Sequence, residues 1–413
     1  MLPLNHDKDD GVMTTTAVSW VLGSRSVSLN TSDEDVSSSD YSYSWSSLSG
    51  INSQEGLDTW IPIVLFTFMF LVGVPANAVV LFVLLRNGIC RTNINLFLLN
   101  LALVDFIFLV FKVPLKLNSY IVSSRIIWSF GTVVCKLSTY LLYVNMTVSI
   151  LTLVALAVNR YNAVMRPVSS RSKRSKAHAI LMIVLIWVIA LASQSPALAA
   201  TDTITINMIH DRVPTVICVE SWSSYTPMRI FKGSNFIFFY CIPLAVVTVC
   251  YLRMARTLQR SAQFTRNESG DSAMGVGLQR QQSCRRKVAR MVHVLVVAFA
   301  VCMLPWHIYM LISCSPSITP DAAVHFYIGI LCRWAVYLNS CLNPVLYSFF
   351  SQNFRVSLKK SFCCWNKALC RKRTFIPIKT GIKGVAEGLD ESGRNFGSSS
   401  QQRSFTTVLM RAC

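Results

Sequence analysis

Seven long apolar runs leave this chain few ways to fold. They lie near Trp60–Leu85, Ile94–Leu117, Gly131–Val164, Ala177–Ala200, Arg229–Leu258, Val288–Ile312 and Ala322–Phe350. A helix needs roughly 20 residues, at 1.5 Å rise each, to cross a bilayer core, and every run reaches that length. Backbone polar groups in hydrocarbon must be satisfied internally, which a helix does within itself. The expected fold is therefore an all-α membrane protein, a bundle of seven transmembrane helices.

Charge is distributed as topology. The chain has 413 residues and a formal net charge of +20, yet only 14% of its residues are charged. Arg86 and Arg91, then Arg166, Arg171, Lys173, Arg174 and Lys176, then Arg285, Arg286, Lys287 and Arg290 crowd the segments between particular runs. Basic residues collect on the cytoplasmic side of membrane proteins, so these segments are expected inside. Nucleic-acid binding would need a basic face on a soluble fold, and no such fold is evident, so no nucleic-acid partner is expected. With the N-terminus outside, seven crossings put the C-terminus in the cytoplasm, and the expected location is the plasma membrane.

The domain plan follows. Residues 1–58 are Ser-rich and carry nine acidic residues against Lys8 and Arg25, a composition expected to stay disordered as an extracellular tail. No basic start leads into an apolar core, so no cleavable signal peptide is expected and the first span would target the chain. Asn30-Thr31-Ser32 is a glycosylation sequon in the right compartment. Residues 59–350 hold the bundle. In residues 351–364 and at their border, Phe350, Phe354, Leu358 and Phe362 recur every four residues opposite Arg355, Lys359 and Lys360. That pattern predicts a short amphipathic interfacial helix lying on membrane lipid. Cys363 and Cys364 end it, at a position suited to palmitoylation. Residues 365–413 form a polar cytoplasmic tail.

Polar and helix-breaking residues fall at one place in each span. The first holds Gly73-Val74-Pro75-Ala76-Asn77, and the second holds Asn100 and Asp105. The third begins near Cys135 and closes on Asn159-Arg160-Tyr161, with Pro167 seven residues after the arginine. The fourth has Trp187 and Pro196, the fifth Phe239, Pro243 and Tyr251, and the sixth Phe299, Cys302, Pro305 and Trp306. The seventh ends Asn339-Ser340-Cys341-Leu342-Asn343-Pro344-Val345-Leu346-Tyr347. A cation at a membrane boundary is costly and usually has a task, and prolines there create kinks that neighbours must repair. Over about residues 60 to 370 these features resemble the rhodopsin-like (class A) G-protein-coupled receptors. Asn343-Pro344-x-x-Tyr347 together with Asp105 and Arg160 is the specific combination.

The resemblance assigns roles. It implies that Arg160, Tyr161, Tyr251, Asn343, Pro344 and Tyr347 carry activation and coupling to a heterotrimeric G protein. It implies a Cys135–Cys218 disulfide pinning the loop Thr201–Arg229 over the bundle mouth, where the residues alone would allow two buried thiols. It brings Asn145, Ser149, Asn339, Ser340 and Asn343 to the depth of Asp105, a set of hard oxygens suited to a structural sodium ion. The residues alone also allow a buried, protonated Asp105. No other cofactor is expected, since the remaining cysteines lack metal-ligand spacing. In the tail, Ser398 to Ser400, Ser404, Thr406 and Thr407 are either plain solvated linker or acceptors that receptor kinases would phosphorylate for arrestin. Two residues depart from the family pattern. Asn159 stands where an acid usually precedes the arginine, and Met303 stands where a tryptophan usually precedes the sixth-span proline.

Ligand class is approached partly by exclusion. Tyr337 occupies the position of the retinal-bearing lysine and Leu142 that of the amine-binding aspartate, so neither ligand is expected. Lys112 and Lys116 follow Asp105 by seven and eleven residues, on one helix face, and Arg333 and Tyr337 share another. With Leu142, Tyr143, Met303 and His307 they make an expected pocket that is cationic and aromatic, suited to a peptide with an acidic or carboxylate end. The alternatives for the lysines are snorkelling to headgroups, or a counter-charge supplied by Glu220 or Asp321 from the outer loops. Val148-Ser149-Ile150-Leu151-Thr152-Leu153 through Arg160-Tyr161 resembles galanin and allatostatin-A receptors, and Tyr337-Leu338-Asn339-Ser340 resembles thyrotropin-releasing-hormone receptors. The expected function is a cell-surface receptor for an extracellular neuropeptide. A non-signalling scavenger receptor is the alternative that Asn159 raises. A transporter would show paired repeats with broken helices. An intramembrane hydrolase would cluster its ligands, whereas His178, His293, His307 and His325 are scattered without H-E-x-x-H, so no enzyme is expected.

Overall fold

The computed structural model describes residues 42–43, 55–86, 93–121, 128–165, 176–208, 214–268, 273–314, 322–350 and 352–363. The Asn30 sequon, Asp321, Cys364 and the tail acceptors lie outside the described residues. Helices α1 (Glu55–Arg86), α2 (Asn93–Ile121), α3 (Gly131–Met165) and α4 (Lys176–Gln194) come first, and a single turn, Pro196–Ala199, extends α4. Helix α5 runs Tyr225–Phe236, through one π-helical turn at Ile237–Cys241, and on along Ile242–Glu268. Then come α6 (Ala273–Ile312), α7 (Ala322–Phe350) and α8 (Gln352–Cys363).

Six of these helices, α1 to α6, are long and apolar enough to cross a membrane. Helix α7 is 29 residues long but is interrupted by Arg333, Asn339, Ser340 and Asn343. Large apolar side chains stay exposed along outward faces, such as Val64, Phe68 and Leu71 of α1 and Leu181, Val184 and Val188 of α4. Water would penalise such bands, and lipid does not. Helix α3 is the hub: 78% of its most apolar window is buried, against 22% in α4 and in α5. It lies against α2, α4, α5 and α6, while α7 packs between α6, α1 and α2.

Two prolines explain the breaks. Pro196 cannot donate to the Ala192 carbonyl; the Ser195 hydroxyl takes that carbonyl at 2.9 Å and the chain resumes as one more turn. Pro243 would likewise collide with the carbonyl of Phe239. The preceding turn widens, and the Ile242 N–H reaches back five residues to the Ile237 carbonyl. The amide of Asn77 donates to the carbonyls of Gly73 at 3.0 Å and of Ser340 on α7 at 3.1 Å, tying α1 to α7. Glycine at 73 is what permits that approach, because a Cβ there would stand 2.5 Å from the Cys341 sulfur.

The structure departs from the sequence reading in two places. Helices α5 and α6 extend past their apolar runs, ending at Glu268 and starting at Ala273. Apolarity marks the bilayer, whereas hydrogen bonding continues through helix formers such as Arg, Gln and Leu into water. The segment after α4, expected as a loop, is a hairpin: β2 (Thr201–Met208) pairs antiparallel with β3 (Pro214–Glu220), with Thr203 opposite Cys218. A two-residue strand, β1 (Ser42–Tyr43), adds in parallel to β2. Alternating Thr and Ile in β2 and the β-branched residues of β3 carry the period-2 signal that marks strands.

Candidate functional site

The hairpin is fastened to the end of α3 by the Cys135–Cys218 disulfide, with Cα atoms 5.7 Å apart. Its edge is also held by Trp128, whose N–H donates to the Val216 carbonyl at 2.7 Å. Strand β3 therefore delivers its last residue, Glu220, to the bundle opening. There the Tyr143 hydroxyl of α3 donates to Glu220 Oε1 at 2.8 Å, and Lys232 of α5 pairs with Oε2 at 3.6 Å. Trp222 Nε1 lies 3.5 Å from the same Oε2, and Lys232 Nζ also reaches the Ser313 hydroxyl just beyond α6, at 3.4 Å. One loop carboxylate thus joins α3, α5 and the end of α6.

Below this cluster lies a cavity. Tyr143, Met146 and Thr147 of α3, Lys232, Asn235 and Phe239 of α5, and Phe299, Trp306, His307 and Met310 of α6 line it. Gln194 of α4 braces its wall, donating to the Thr147 hydroxyl and to Asn235 Oδ1, each at 2.9 Å. The His307 ring leans on Tyr240, with centroids 4.9 Å apart. Of the pocket residues expected from sequence, Tyr143 and His307 line this cavity. Leu142, Met303 and Tyr337 are instead buried in the packed interior. Trp306, the residue after the sixth-span proline, lines the cavity instead of an aromatic at position 303. Lys232 and Asn235 escaped sequence reasoning, as did the pairing of Glu220 with Lys232. A lysine near the start of an apolar run and an acid ending an alternating strand were the available signals.

Lys112, Lys116 and Arg333 lie between α2 and α7 toward the same end. Lys112 donates to the Ser138 hydroxyl of α3 at 3.1 Å, and Lys116 sits over the Tyr120 ring, 5.7 Å from its centroid. Among the described residues none of the three has an acidic partner within 4 Å. Glu220, which the sequence left open as their counter-charge, is paired with Lys232 instead.

Midway down the bundle, Asn343 of α7 donates to Asp105 Oδ2 at 2.7 Å, and Asn145 Nδ2 lies 3.5 Å from the Ser340 hydroxyl. Asp105, Asn145, Ser149, Asn339 and Ser340 are all buried. Asp105 Oδ1, Asn145 Oδ1 and Ser149 Oγ have no hydrogen-bond partner among the described residues. Asn100 locks α2 to its neighbours by donating to Thr152 of α3 and accepting from Trp187 of α4, both at 2.9 Å. At the far end of α3, Asn159, Arg160 and Tyr161 are half-buried. Tyr251 of α5 stacks on His293 of α6 with centroids 3.8 Å apart, and Tyr347 is fully buried in α7 behind Pro344.

Cutting the Lys232–Glu220 pair should be costly, since a mostly buried charge left without its partner keeps its desolvation penalty. Lys232→Met or Glu220→Gln alone is expected to lower the melting temperature of the purified protein by several degrees. The double variant should recover part of the loss, with a coupling of roughly 1–3 kcal/mol. Strictly additive losses would show that the two groups do not interact.

A profile of the 7 transmembrane receptor (rhodopsin family) matches residues 76–347. Galanin receptor 2a of Danio rerio is 33% identical over 334 residues, covering 80% of this chain and 86% of that protein. The allatostatin-A receptor of Bombyx mori is 33% identical over 340 residues, covering 82% and 89%. Galanin receptor type 1 of Homo sapiens is 30% identical over 312 residues, covering 75% and 83%.

Proposed function

Because this chain belongs to the rhodopsin family of seven-transmembrane receptors, we propose that it is a multi-pass plasma-membrane receptor whose ligand is an extracellular peptide and whose output is activation of heterotrimeric G proteins. The observation that carries this reading is the cavity roofed by a disulfide-pinned hairpin. Its wall mixes aromatic rings with Tyr143, Asn235, Lys232 and His307, so peptide backbone and side chains would both find partners there. Relatives named for galanin and allatostatin-A support a peptide as the ligand class.

In this reading the hairpin faces outside and the Arg160 end faces the cytoplasm. Helix α7 is the seventh crossing, its polar side chains turned toward the other helices. Helix α8 lies on the inner leaflet: Phe354 is buried while Arg355 and Lys359 are exposed. Cys363 and Cys364 then carry palmitate, Asn30 carries glycan, and receptor kinases charge the tail serines and threonines for arrestin. Arg160, Tyr161, Tyr251, Asn343, Pro344 and Tyr347 form the coupling machinery.

A sodium ion suits the Asp105 site. Asp105 Oδ1, Asn145 Oδ1 and Ser149 Oγ have no hydrogen-bond partner among the described residues, and all are hard donors. Asp105, Asn145, Ser149, Asn339, Ser340 and Asn343 would hold the ion, which would neutralise the buried carboxylate and favour the resting bundle. Exchanging sodium for choline should lower the melting temperature of the purified wild-type receptor by a few degrees. Asp105→Asn should erase that difference, and a sodium effect persisting in the variant would rule the site out.

The function is tested by screening a neuropeptide library against cells expressing the chain with a panel of G-protein dissociation sensors. A saturable response to one peptide class is expected. Peptide uptake without any sensor response would instead favour the scavenger reading that Asn159 raises, and no binding of any peptide would overturn the ligand class.

A further inference from the structure

The cavity and the α2–α7 cluster differ in how their charge is balanced. Lys232 has Glu220, which also accepts from Tyr143, so the positive charge nearest the cavity is already met. Among the described residues no carboxylate lies within 4 Å of Lys112, Lys116 or Arg333, and Glu220 acts on Lys112 only from beyond that distance. The three cations are close enough that Arg333 acts electrostatically on both lysines. Among the described residues Arg333 Nε is buried without a hydrogen-bond acceptor, and so is the hydroxyl of Tyr120, the residue under Lys116. Snorkelling would relieve one lysine. It would not explain Lys112 turned toward Ser138 of α3, or a guanidinium held in the bundle wall.

Gly329 is what lets the Arg333 guanidinium and the Tyr309 hydroxyl approach α7 this closely. A Cβ there would stand 2.9 Å from the Tyr309 hydroxyl and 3.0 Å from Arg333 Nη2, so a side chain would shift both groups by a few tenths of an ångström. Desolvated like charges persist together only when something of opposite sign joins them. A planar fork beside two ammonium groups is the chemistry that takes a carboxylate.

We propose that Lys112, Lys116 and Arg333, with the Tyr120 hydroxyl, form an anion site that binds one carboxylate of the peptide, separate from the Glu220–Lys232 cluster. The proposal rests on the peptide-receptor reading and names the group that the α2–α7 side of the opening recognises. The Glu220–Lys232 side contributes to holding the hairpin and needs no anion from the ligand.

Two arms test it. In the first, the purified receptor is melted in sulfate and in chloride at matched ionic strength. Sulfate should add roughly 2–4 °C in the wild type and under about 0.5 °C in Lys116→Gln/Arg333→Gln, while Lys136→Gln, whose lysine pairs with Asp202 at 3.5 Å, keeps the increment. No increment in the wild type, or an equal one in the double variant, overturns the site. Should the double variant not reach the surface, the single Arg333→Gln variant serves and should lose most of the increment.

In the second arm, each activating peptide is made as free acid and amide, with every Asp and Glu exchanged in turn for Asn and Gln. Neutralising one carboxylate should cost at least about tenfold in potency on the wild type and under about threefold on Arg333→Gln. Equal losses in both backgrounds overturn the assignment. A sulfate effect that depends on these residues, with no peptide activating the receptor, would leave the anion site standing and overturn the peptide reading.

Discussion

Replacing Arg160 by alanine is expected to abolish G-protein activation while leaving peptide binding within about threefold of wild type. Arg160 stands in the last turns of the most buried helix, with Tyr161 beside it, at the end opposite the hairpin. A cation kept at a membrane boundary usually has a task, and in the proposed reading that task is contact with a G protein reaching the opened bundle. Arg160 lies more than three turns along α3 from Thr147, the nearest α3 residue that lines the cavity. The measurement is sensor dissociation alongside peptide binding at equal surface expression. Coupling that survives the substitution would show that another group makes the contact. The neighbour at 159 sharpens the test. An acid there would hold the arginine in its resting pose by Coulomb attraction, and Asn159 cannot. Asn159→Asp should therefore lower ligand-free signalling several-fold if the added attraction is worth about 1 kcal/mol.

Loss of the Cys135–Cys218 bond is expected to be as severe. Either cysteine replaced by alanine should cut surface expression and peptide binding by an order of magnitude or more. The bond closes 83 residues of chain separation, and a bond of this kind contributes roughly 2–4 kcal/mol. The helices between its ends stay inserted when it breaks, so most of the loss should fall on the hairpin. Freed from α3, β3 would no longer hold Glu220 against Tyr143 and Lys232, and the cavity would lose its roof. The double Cys→Ala variant should be no worse than either single one, because all three remove the same bond. A double variant clearly worse than both would mean that the two sulfurs act separately.

Most of the architecture could be read along the chain. Length and apolarity mark the spans one residue at a time, since every residue facing lipid obeys the same rule. The break at Pro196 and the widened turn before Pro243 follow from a missing N–H and a bulky ring, which act on the nearest carbonyls. That Asn343 and Asp105 share one depth was legible only through the family resemblance, and their hydrogen bond came with the structure.

The site at the hairpin end was less legible. Lys232 read as one charge near a span boundary, and Glu220 as one acid in a loop. Their meeting depends on a β-hairpin turning back over α3, and on α5 beginning at Tyr225, ahead of its apolar run. The same packing sent Met303, Leu142 and Tyr337 into the interior and brought Trp306 to the cavity wall, because helix rotation about its own axis is set by neighbours on several sides. The sequence alone determined which segments are long and apolar enough to cross a membrane and which charges they carry. Only the tertiary structure decided which of those charges meet, because pairing depends on distances between elements far apart in the chain, whereas insertion depends on each segment's own contact with lipid.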